Sequence, residues 1–384
     1  MDGPLWDALL TDEDRRILDP GPPAHLDPTP DVVVVGGGVA GLATAVFCRR
    51  AGVERVVVIE RTRLASGPSG RAAGTLTPGI HAMVKPDPFV ALAGRGLELH
   101  RELDREWDGA AGFRTIDSLV ALPVVPPQEL LDRGGARLLD AAAARDLEQE
   151  LGDVEHAIHL PGQGAVRPLA FARELARRAG QIATGVEMLD LETTGGRVTT
   201  VRTSHGDVSP GAVVLATATS EWIDTPQRVV KGHMVATEPA PFRLRTLPAG
   251  VVGLVQTAEG HVVAGGTFEF DDHEPDVRDR VVEAVLAELR RLLPRASALT
   301  VAHRWTCFRP STFDELPVID RLPDVRNAWV NVGHFRTGIL AAPAAGDLLA
   351  EWITTGDRPP LAEAFGRERT SPGAERPVSP GAAG

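Results

Sequence analysis

Asp31-Val32-Val33-Val34-Val35-Gly36-Gly37-Gly38-Val39-Ala40-Gly41-Leu42, continuing to Val56-Val57-Val58-Ile59-Glu60, is the stretch that decides the fold. Residues 31–35 and 56–59 are near-continuous apolar strands, the pattern of a parallel sheet covered on both faces. Between them Gly36 to Gly41 satisfy G-x-G-x-x-G as a tight turn, and Leu42 to Ala51 continue as a helix. Gly36 permits the sharp turn, Gly38 lets backbone N–H groups approach a pyrophosphate, and Gly41 allows helix and strand to pack closely. The helix start at Val39 and Ala40 turns its partial positive charge toward the phosphates. Glu60, roughly 20 residues beyond Gly38, can accept hydrogen bonds from ribose hydroxyls. The unit predicts a dinucleotide site and leaves FAD and NAD both open.

Composition narrows the classes around that unit. A chain of 384 residues with 43% hydrophobic content can build two lobes that share one cofactor. The net charge of −12, with no Lys/Arg-rich block, excludes a nucleic-acid surface. The two cysteines, Cys48 and Cys307, offer neither a disulfide framework nor metal-ligand spacing, and the 11 histidines show no H-x-x-x-H or H-E-x-x-H pattern, so no metal is expected. No apolar run reaches the ~18 residues of a membrane helix. The early acidic residues Asp12, Glu13 and Asp14 are the wrong charge for a secretory signal, so a cytoplasmic location is expected. Gly67-Pro68-Ser69-Gly70-Arg71 does not match the G-x-S-x-G of a hydrolase.

Along the chain, residues 1–30 form a Pro- and Asp-rich arm in which Leu5, Trp6, Leu9 and Leu10 share one face of a short helix. Helices are expected over 88–107, 167–180 and 276–293, the last burying Val281, Val285, Leu289 and Leu292. Val198–Val201 and Val213–Ala216 are expected as strands on either side of a polar hairpin at His205-Gly206-Asp207, and a strand-rich block covers 229–270. Residues 328–354 read as strand, turn and helix, and 367–384 as a disordered tail.

Two distant segments refine the cofactor. Arg61 is followed by the small-residue loop Ser66-Gly67-Pro68-Ser69-Gly70-Arg71-Ala72-Ala73-Gly74, which lets an extended cofactor pass along the backbone. Arg304-Trp305-Thr306-Cys307-Phe308-Arg309-Pro310 precedes Gly333-His334-Phe335-Arg336-Thr337-Gly338-Ile339, a second Gly-rich helix start suited to the polar edge of an isoalloxazine ring. With these segments the sequence resembles the D-amino acid oxidase superfamily, in its glycine oxidase and sarcosine oxidase branch, from about Asp31 to Gly356. The middle, Gly232-His233-Met234 to Gly265-Gly266-Thr267, is more similar to opine and hydroxyproline dehydrogenase subunits.

The resemblance implies an α/β plus α+β fold. A Rossmann-like FAD-binding domain is assembled from 31–110, 160–228 and 311–360, and a mixed or antiparallel β-sheet substrate domain from 111–159 and 229–310. It implies FAD held by the segments above, with Val186 also at the cofactor. The implied reaction oxidises the carbon–nitrogen bond of an amino acid or secondary amine, with hydride passing from Cα to flavin N5 and an imine as product. Arg309 takes the position of the carboxylate-binding arginine of glycine oxidases, where a planar guanidinium holds a carboxylate bidentately; the alternative is a structural pairing with Asp314 or Glu315. Arg336 is placed near the active site or in a protein ion pair. Glycine and D-amino acid oxidases also use tyrosine, and this chain has none, so His233, His261, Trp305 or Phe268 are alternatives for lining the site. Monomeric sarcosine oxidases link flavin to a cysteine at the position of Cys307; the glycine-oxidase-like neighbours favour non-covalent FAD. Neither Lys85 nor Lys231 falls where sarcosine oxidases place a lysine above the flavin, about 261–268, so O2 and another acceptor both stay open. The rivals are a flavoprotein subunit passing electrons to a partner or quinone, a biosynthetic tailoring amine oxidase, and a non-catalytic flavin-binding module; a homo-oligomer is compatible with each.

Overall fold

The structure, a computed structural model, describes residues 2–121, 124–218 and 228–370. Val32–Val35 and Val56–Glu60 pair in parallel, Val32 beside Val56 and Val35 beside Ile59. Successive side chains of a strand point to opposite faces, so these two strands feed two cores. Val32, Val34, Val56 and Val58 face a helical layer. Val33, Val35, Val57 and Ile59 face Val198, Val201 and Val208 of a three-stranded antiparallel meander. Both faces are covered, which is why neither strand alternates apolar with polar residues.

The whole sheet has six strands in the order Val318–Arg321, Ala328–Val332, Ala212–Leu215, Val32–Val35, Val56–Glu60, Gln181–Thr184. The edge strand Val318–Arg321 runs antiparallel to its neighbour, while the other pairs are parallel. The expected hairpin is redistributed. Arg197–Thr203 turns at Ser204 and His205 to pair with Gly206–Val208, and Ala212–Leu215 leaves for the parallel sheet.

Helices Val39–Arg50, Asp87–Glu106 and Gly338–Thr355 form the layer on one face. Their approach is close because glycine stands where they touch. A side chain at Gly346 would come within 2.8 Å of the Ala43 carbonyl carbon, and one at Gly96 would overlap the Leu340 carbonyl oxygen.

A second, nine-stranded sheet lies over this assembly. Its spine is the antiparallel pair Arg228–Pro239 and Val301–Ser311, with Gly232 beside Cys307. One face packs under helix Asp279–Leu292, which buries Val282, Val285, Leu286, Leu289 and Leu292. The apolar stripe is thus one residue out of phase at its start: Val282, not Val281, is in the core. The other face sends Met234, Ala236, Val263 and Trp305 into the core shared with the helical layer.

The arm is ordered: Leu5–Ala8 and Asp12–Leu18 are short helices, with Leu5, Trp6 and Leu18 buried. Residues 367–370, placed by the sequence in the disordered tail, instead form a turn in which the Arg367 N–H donates to Asp320 and the Arg369 guanidinium binds Asp314. The rest of the expected tail, 371–384, lies outside the described residues.

Two glycines of one helix separate packing from propensity. Gly94 has open space around it, so Gly94→Ala should stabilise the protein by about 0.5–1 kcal/mol, because glycine costs that much in a helix interior. Gly96→Ala, two residues on, should destabilise it by about 1–3 kcal/mol by forcing apart the helix crossing. Equilibrium denaturation of the two variants checks both signs.

Candidate active site

The first glycine-rich turn is dictated by contact. Gly36 has φ of +113°, and a side chain there would come within 2.6 Å of the Ala216 carbonyl oxygen; at Gly41 it would overlap the Gly36 oxygen. Gly38 caps helix Val39–Arg50 with no side-chain hydrogen bond of its own, so the first-turn N–H groups beyond Val39 stay available for an anion. The nearby Ser69 Oγ accepts from the Val39 N–H at 3.1 Å. Glu60 accepts from the Gly37 N–H at 2.8 Å and from the Thr62 N–H at 2.9 Å, which aims its carboxylate at the mouth of the turn.

Loop 66–74 is pinned from two sides. Trp6 Nε1–H donates to the Ala72 carbonyl at 2.8 Å and Trp305 Nε1–H to the Arg71 carbonyl at 2.9 Å. Arg71 in turn donates to the Thr306 carbonyl at 3.1 Å. The N-terminal arm therefore helps to hold a cofactor loop, a role its sequence did not announce.

The second helix start is built on Gly333 (φ +72°) and on Phe335, a non-glycine residue at φ +50°. The Phe335 N–H donates to the Pro310 carbonyl at 2.8 Å, which fixes this strained turn. Helix Gly338–Thr355 also opens without a side-chain cap. His100 Nε2–H donates to the Ile339 carbonyl at 2.8 Å. Asn331 donates through Nδ2 to Thr44 Oγ at 3.1 Å, leaving its Oδ1 to accept from His334 Nε2–H at 2.7 Å. His334 Nδ1 is then a bare acceptor, buried and without a protein partner. Burial pushes both imidazoles down, His100 to about 4 and His334 to about 4, so each is neutral.

Both helix starts open into one cavity of about 1120 Å³. That exceeds the roughly 300–1,000 Å³ of ordinary ligand pockets, leaving space for a dinucleotide and a substrate together. Cys307 and Arg309, two apart on strand Val301–Ser311, both line it. Arg309 Nη1–H donates to the Thr267 carbonyl at 2.9 Å. Its guanidinium lies over Gly232, where any side chain would overlap it. The guanidinium carbons of Arg309 and Arg336 lie 5.3 and 4.8 Å from the Phe268 ring centroid.

The sequence pattern of the DAO family, described as FAD dependent oxidoreductase, matches residues 31–352. The chain belongs to this family of FAD-dependent oxidoreductases. It is 30% identical to the bifunctional protein ThiO/ThiG of Synechocystis sp. (strain PCC 6803) over 89% of its own length, but spans about half, 54%, of that relative. It is 27% identical to the glycine oxidase of Pseudomonas putida (84% of this chain, 94% of the relative) and 27% identical to the sarcosine oxidase subunit beta of Rhizobium meliloti (89% of each). Its fold matches a glycine oxidase from Bacillus cereus with a TM-score of 0.80 at 22% identity, covering 91% of this chain and 99% of that one.

As in other DAO-family proteins the cofactor is FAD, and the residues present fit it: two uncapped helix starts face one cavity, and the orphaned His334 nitrogen stands ready to accept. Gly36, Gly38, Val39, Ala40, Glu60, Arg61, Ser69, Ala73 and Gly74 line one part of that cavity, with Val186; Cys307, Gly333, His334, Phe335, Arg336, Gly338 and Ile339 line another. Gly41, Gly70, Arg71 and Thr337 are not on its wall and shape the segments that are. Two expected site residues are corrected. His233 is fully buried, with Nδ1 bound to Glu269 at 2.8 Å and Nε2 accepting from the Arg278 N–H at 3.0 Å, so it is a satisfied structural group. His261 binds the Thr237 carbonyl at 2.8 Å and does not line the cavity. Trp305 likewise is spent on the Arg71 carbonyl, off the cavity wall. The alternative partners of Arg309 are occupied elsewhere, Asp314 by Arg369 and Glu315 by Lys85 at 2.7 Å. His81, on a short helix with no motif around it, lines the cavity and was missed. Burial first, then the charges of Arg336 and Lys85, push its pKa down to about 3.

The neutral His100 and His334 set a pH dependence. An unfolded histidine titrates near 6.5, so below that pH the unfolded chain binds protons the fold refuses until about 4. Stability should therefore fall as pH drops from 6.5 toward 4, each histidine adding up to about 1.4 kcal/mol per pH unit. Urea titrations of the holoprotein across that range measure the slope. His100→Gln, which keeps a donor for Ile339, should make it shallower.

Proposed function

We propose that the protein oxidises the carbon–nitrogen bond of an amino acid or N-substituted amino acid whose carboxylate is held by Arg309. The observation that carries this reading is an arginine set over a cavity with its pose fixed from two sides. The Thr267 carbonyl engages one nitrogen, and Gly232 leaves the guanidinium room to lie flat. The ion pairs among the described residues do not include it, so its remaining donors are free for a bidentate carboxylate contact. Bound FAD supplies the two-electron acceptor. The chain contributes orientation and exclusion of water, and neutral His81 offers the amine an acceptor nitrogen without adding positive charge. The FAD-binding domain is read as 31–110, 160–228 and 311–360, and the substrate domain as 111–159 and 229–310. Among the described residues no helix is long and apolar enough to cross a membrane.

Cys307 is buried, and burial raises its thiol pKa against the opposing charges of Arg309 and Arg71. A protonated thiol is a weak nucleophile, which supports non-covalent FAD. Acid precipitation should leave a colourless pellet and yellow supernatant. A second reading, a subunit that hands electrons to a partner or quinone, is favoured by the engagement of both lysines in ion pairs: Lys85 with Glu315, and fully buried Lys231 with Asp276 at 2.5 Å. Oxygen consumption by the isolated protein separates the two, since the subunit reading expects flavin reduction by substrate with slow reoxidation in air.

Anaerobic titration of the yellow protein with glycine, sarcosine, D-amino acids, proline analogues and opines should bleach the flavin absorbance for at least one compound. Arg309→Met should raise the concentration needed by at least about 30-fold, the scale for removing one partner of a desolvated charge pair, with flavin content unchanged. Gly232→Ala should act in the same direction by displacing the guanidinium. Retained affinity in Arg309→Met would overturn the carboxylate role.

A further inference from the structure

Residues 2–19 precede the part of the chain that matches the family, yet they are built into the cofactor site. Leu5, Trp6 and Leu18 anchor this arm in the core shared with the helical layer. Around those anchors it is tied to both lobes. The Gly3 N–H donates to the Arg304 carbonyl at 3.0 Å, on the strand that also carries Cys307 and Arg309. Asp14 binds Arg173 at 2.7 Å, and Asp19 accepts from Thr184 Oγ1 at 2.7 Å.

Between these ties the arm holds loop 63–74 at its beginning and at its end. Asp7 pairs with Arg63 at 2.6 Å, and the Leu18 carbonyl accepts from the Leu64 N–H at 2.9 Å. Leu64 lies against Gly37, where a side chain would overlap its Cδ2 methyl. The next N–H, of Ala65, donates to the Gly37 carbonyl at 2.9 Å. Two residues therefore connect the arm to the first glycine-rich turn. At the far end Trp6 Nε1–H takes the Ala72 carbonyl at 2.8 Å, and Trp305 takes the neighbouring Arg71 carbonyl at 2.9 Å. Two indoles, one from the arm and one from the second sheet, thus fix consecutive peptides. Residues 65–69 and 72–75 line the cavity, and Ser69 meets the first helix start at the Val39 N–H.

A phenylalanine could fill the same apolar position; what tryptophan adds is one N–H donor. Ordering a loop costs conformational entropy, and the docked arm fixes this loop before FAD arrives. With the arm undocked, FAD would have to order the loop itself, so each event favours the other. We propose that the N-terminal arm is a strap for the cofactor: its docking and FAD binding are coupled through loop 63–74, with Trp6 as the positioning residue. Coupling between two binding events is reciprocal. Loosening the strap at Trp6 speeds FAD release, and removing FAD loosens the strap.

Both directions can be measured on the full chain. FAD release from the holoprotein is followed by the rise of free-flavin fluorescence on dilution, comparing Trp6→Phe with Glu13→Gln. Glu13 makes an exposed arm contact, to Arg177 at 2.6 Å, that involves no loop residue. Trp6→Phe should release FAD about tenfold faster, and Glu13→Gln at a rate within about twofold of the unaltered protein. Trypsin reads the reverse direction. Arg15 and Arg16 are exposed on helix Asp12–Leu18, and Arg290 is exposed on helix Asp279–Leu292, packed on the second sheet. The apoprotein should be cut after Arg15 or Arg16 at least about fivefold faster than the holoprotein, with cleavage after Arg290 changed by less than about twofold. A release rate in Trp6→Phe within twofold of the unaltered protein's overturns the proposal. Equal acceleration by Glu13→Gln also overturns it, because the arm would then act only through overall stability. So does arm cleavage that FAD leaves unchanged, or that rises no more than cleavage after Arg290. Should Trp6→Phe fail to fold, the protease comparison on the unaltered chain decides alone.

Discussion

Helix Gly338–Thr355 must cross helix Val39–Arg50 at backbone contact, and the site follows from that crossing. At Gly346 the approach to Ala43 and Thr44 leaves no room for a side chain. A bulkier residue would push the second helix outward and carry its uncapped N-terminus away from the cavity that the first one enters. The two starts are also wired together: His334 donates to Asn331, Asn331 to Thr44, and Thr44 to the Ala40 carbonyl at 2.8 Å. This chain of hydrogen bonds runs from the second motif into the first turn of the first. Segments some 300 residues apart thereby act as one anion-facing surface.

The second sheet answers a different need. Its spine pairs Gly232 with Cys307 and Val230 with Arg309. Alternation then puts Cys307 and Arg309 on the cavity face, and Thr306 and His233 on the other. On that far face His233, Glu269, Arg278, Asp276 and Lys231 satisfy one another, so the polar groups there are spent on structure. The same pair of strands thus anchors a closed ionic network on one side and carries Arg309, outside the ion pairs of the described residues, on the other. The difference between the sides is the difference between stability and binding.

Much of this was legible in the residues. The register of Gly36–Gly41 with Glu60, and the second Gly-rich start at 333–338, identify the cofactor and the family because their chemistry is local: backbone amides, small residues, one acid. The same resemblance pointed to Arg309, which the structure places on the cavity wall. His233 and His261 were misplaced because a histidine's role depends on which face of its strand meets the cavity, and the strand-rich block does not show that face by composition. His81 escaped because nothing in Gly79-Ile80-His81 marks it; proximity to Arg336 arises only from folding. The one-residue error in the helix at 279–292 has a similar origin: Val281 and Val282 are chemically equal, and packing against Val235 and Val262 decides between them.

On the proposed reading, a chain without tyrosine holds the substrate carboxylate by other means. A phenol hydroxyl orients a carboxylate through one hydrogen bond to a charged acceptor, worth about 1.5–3 kcal/mol. A guanidinium offers charge and two parallel donors, but must itself be held and kept from the protein's own acids. The structure does both for Arg309, through the Thr267 carbonyl, the gap at Gly232 and the diversion of Asp314 and Glu315 to other cations. Arg336 is kept from the same acids by Lys85 and Arg369. Cations elsewhere in the fold therefore leave both cavity arginines outside the ion pairs of the described residues, and the carboxylate role proposed for Arg309 depends on that arrangement as much as on the arginine itself.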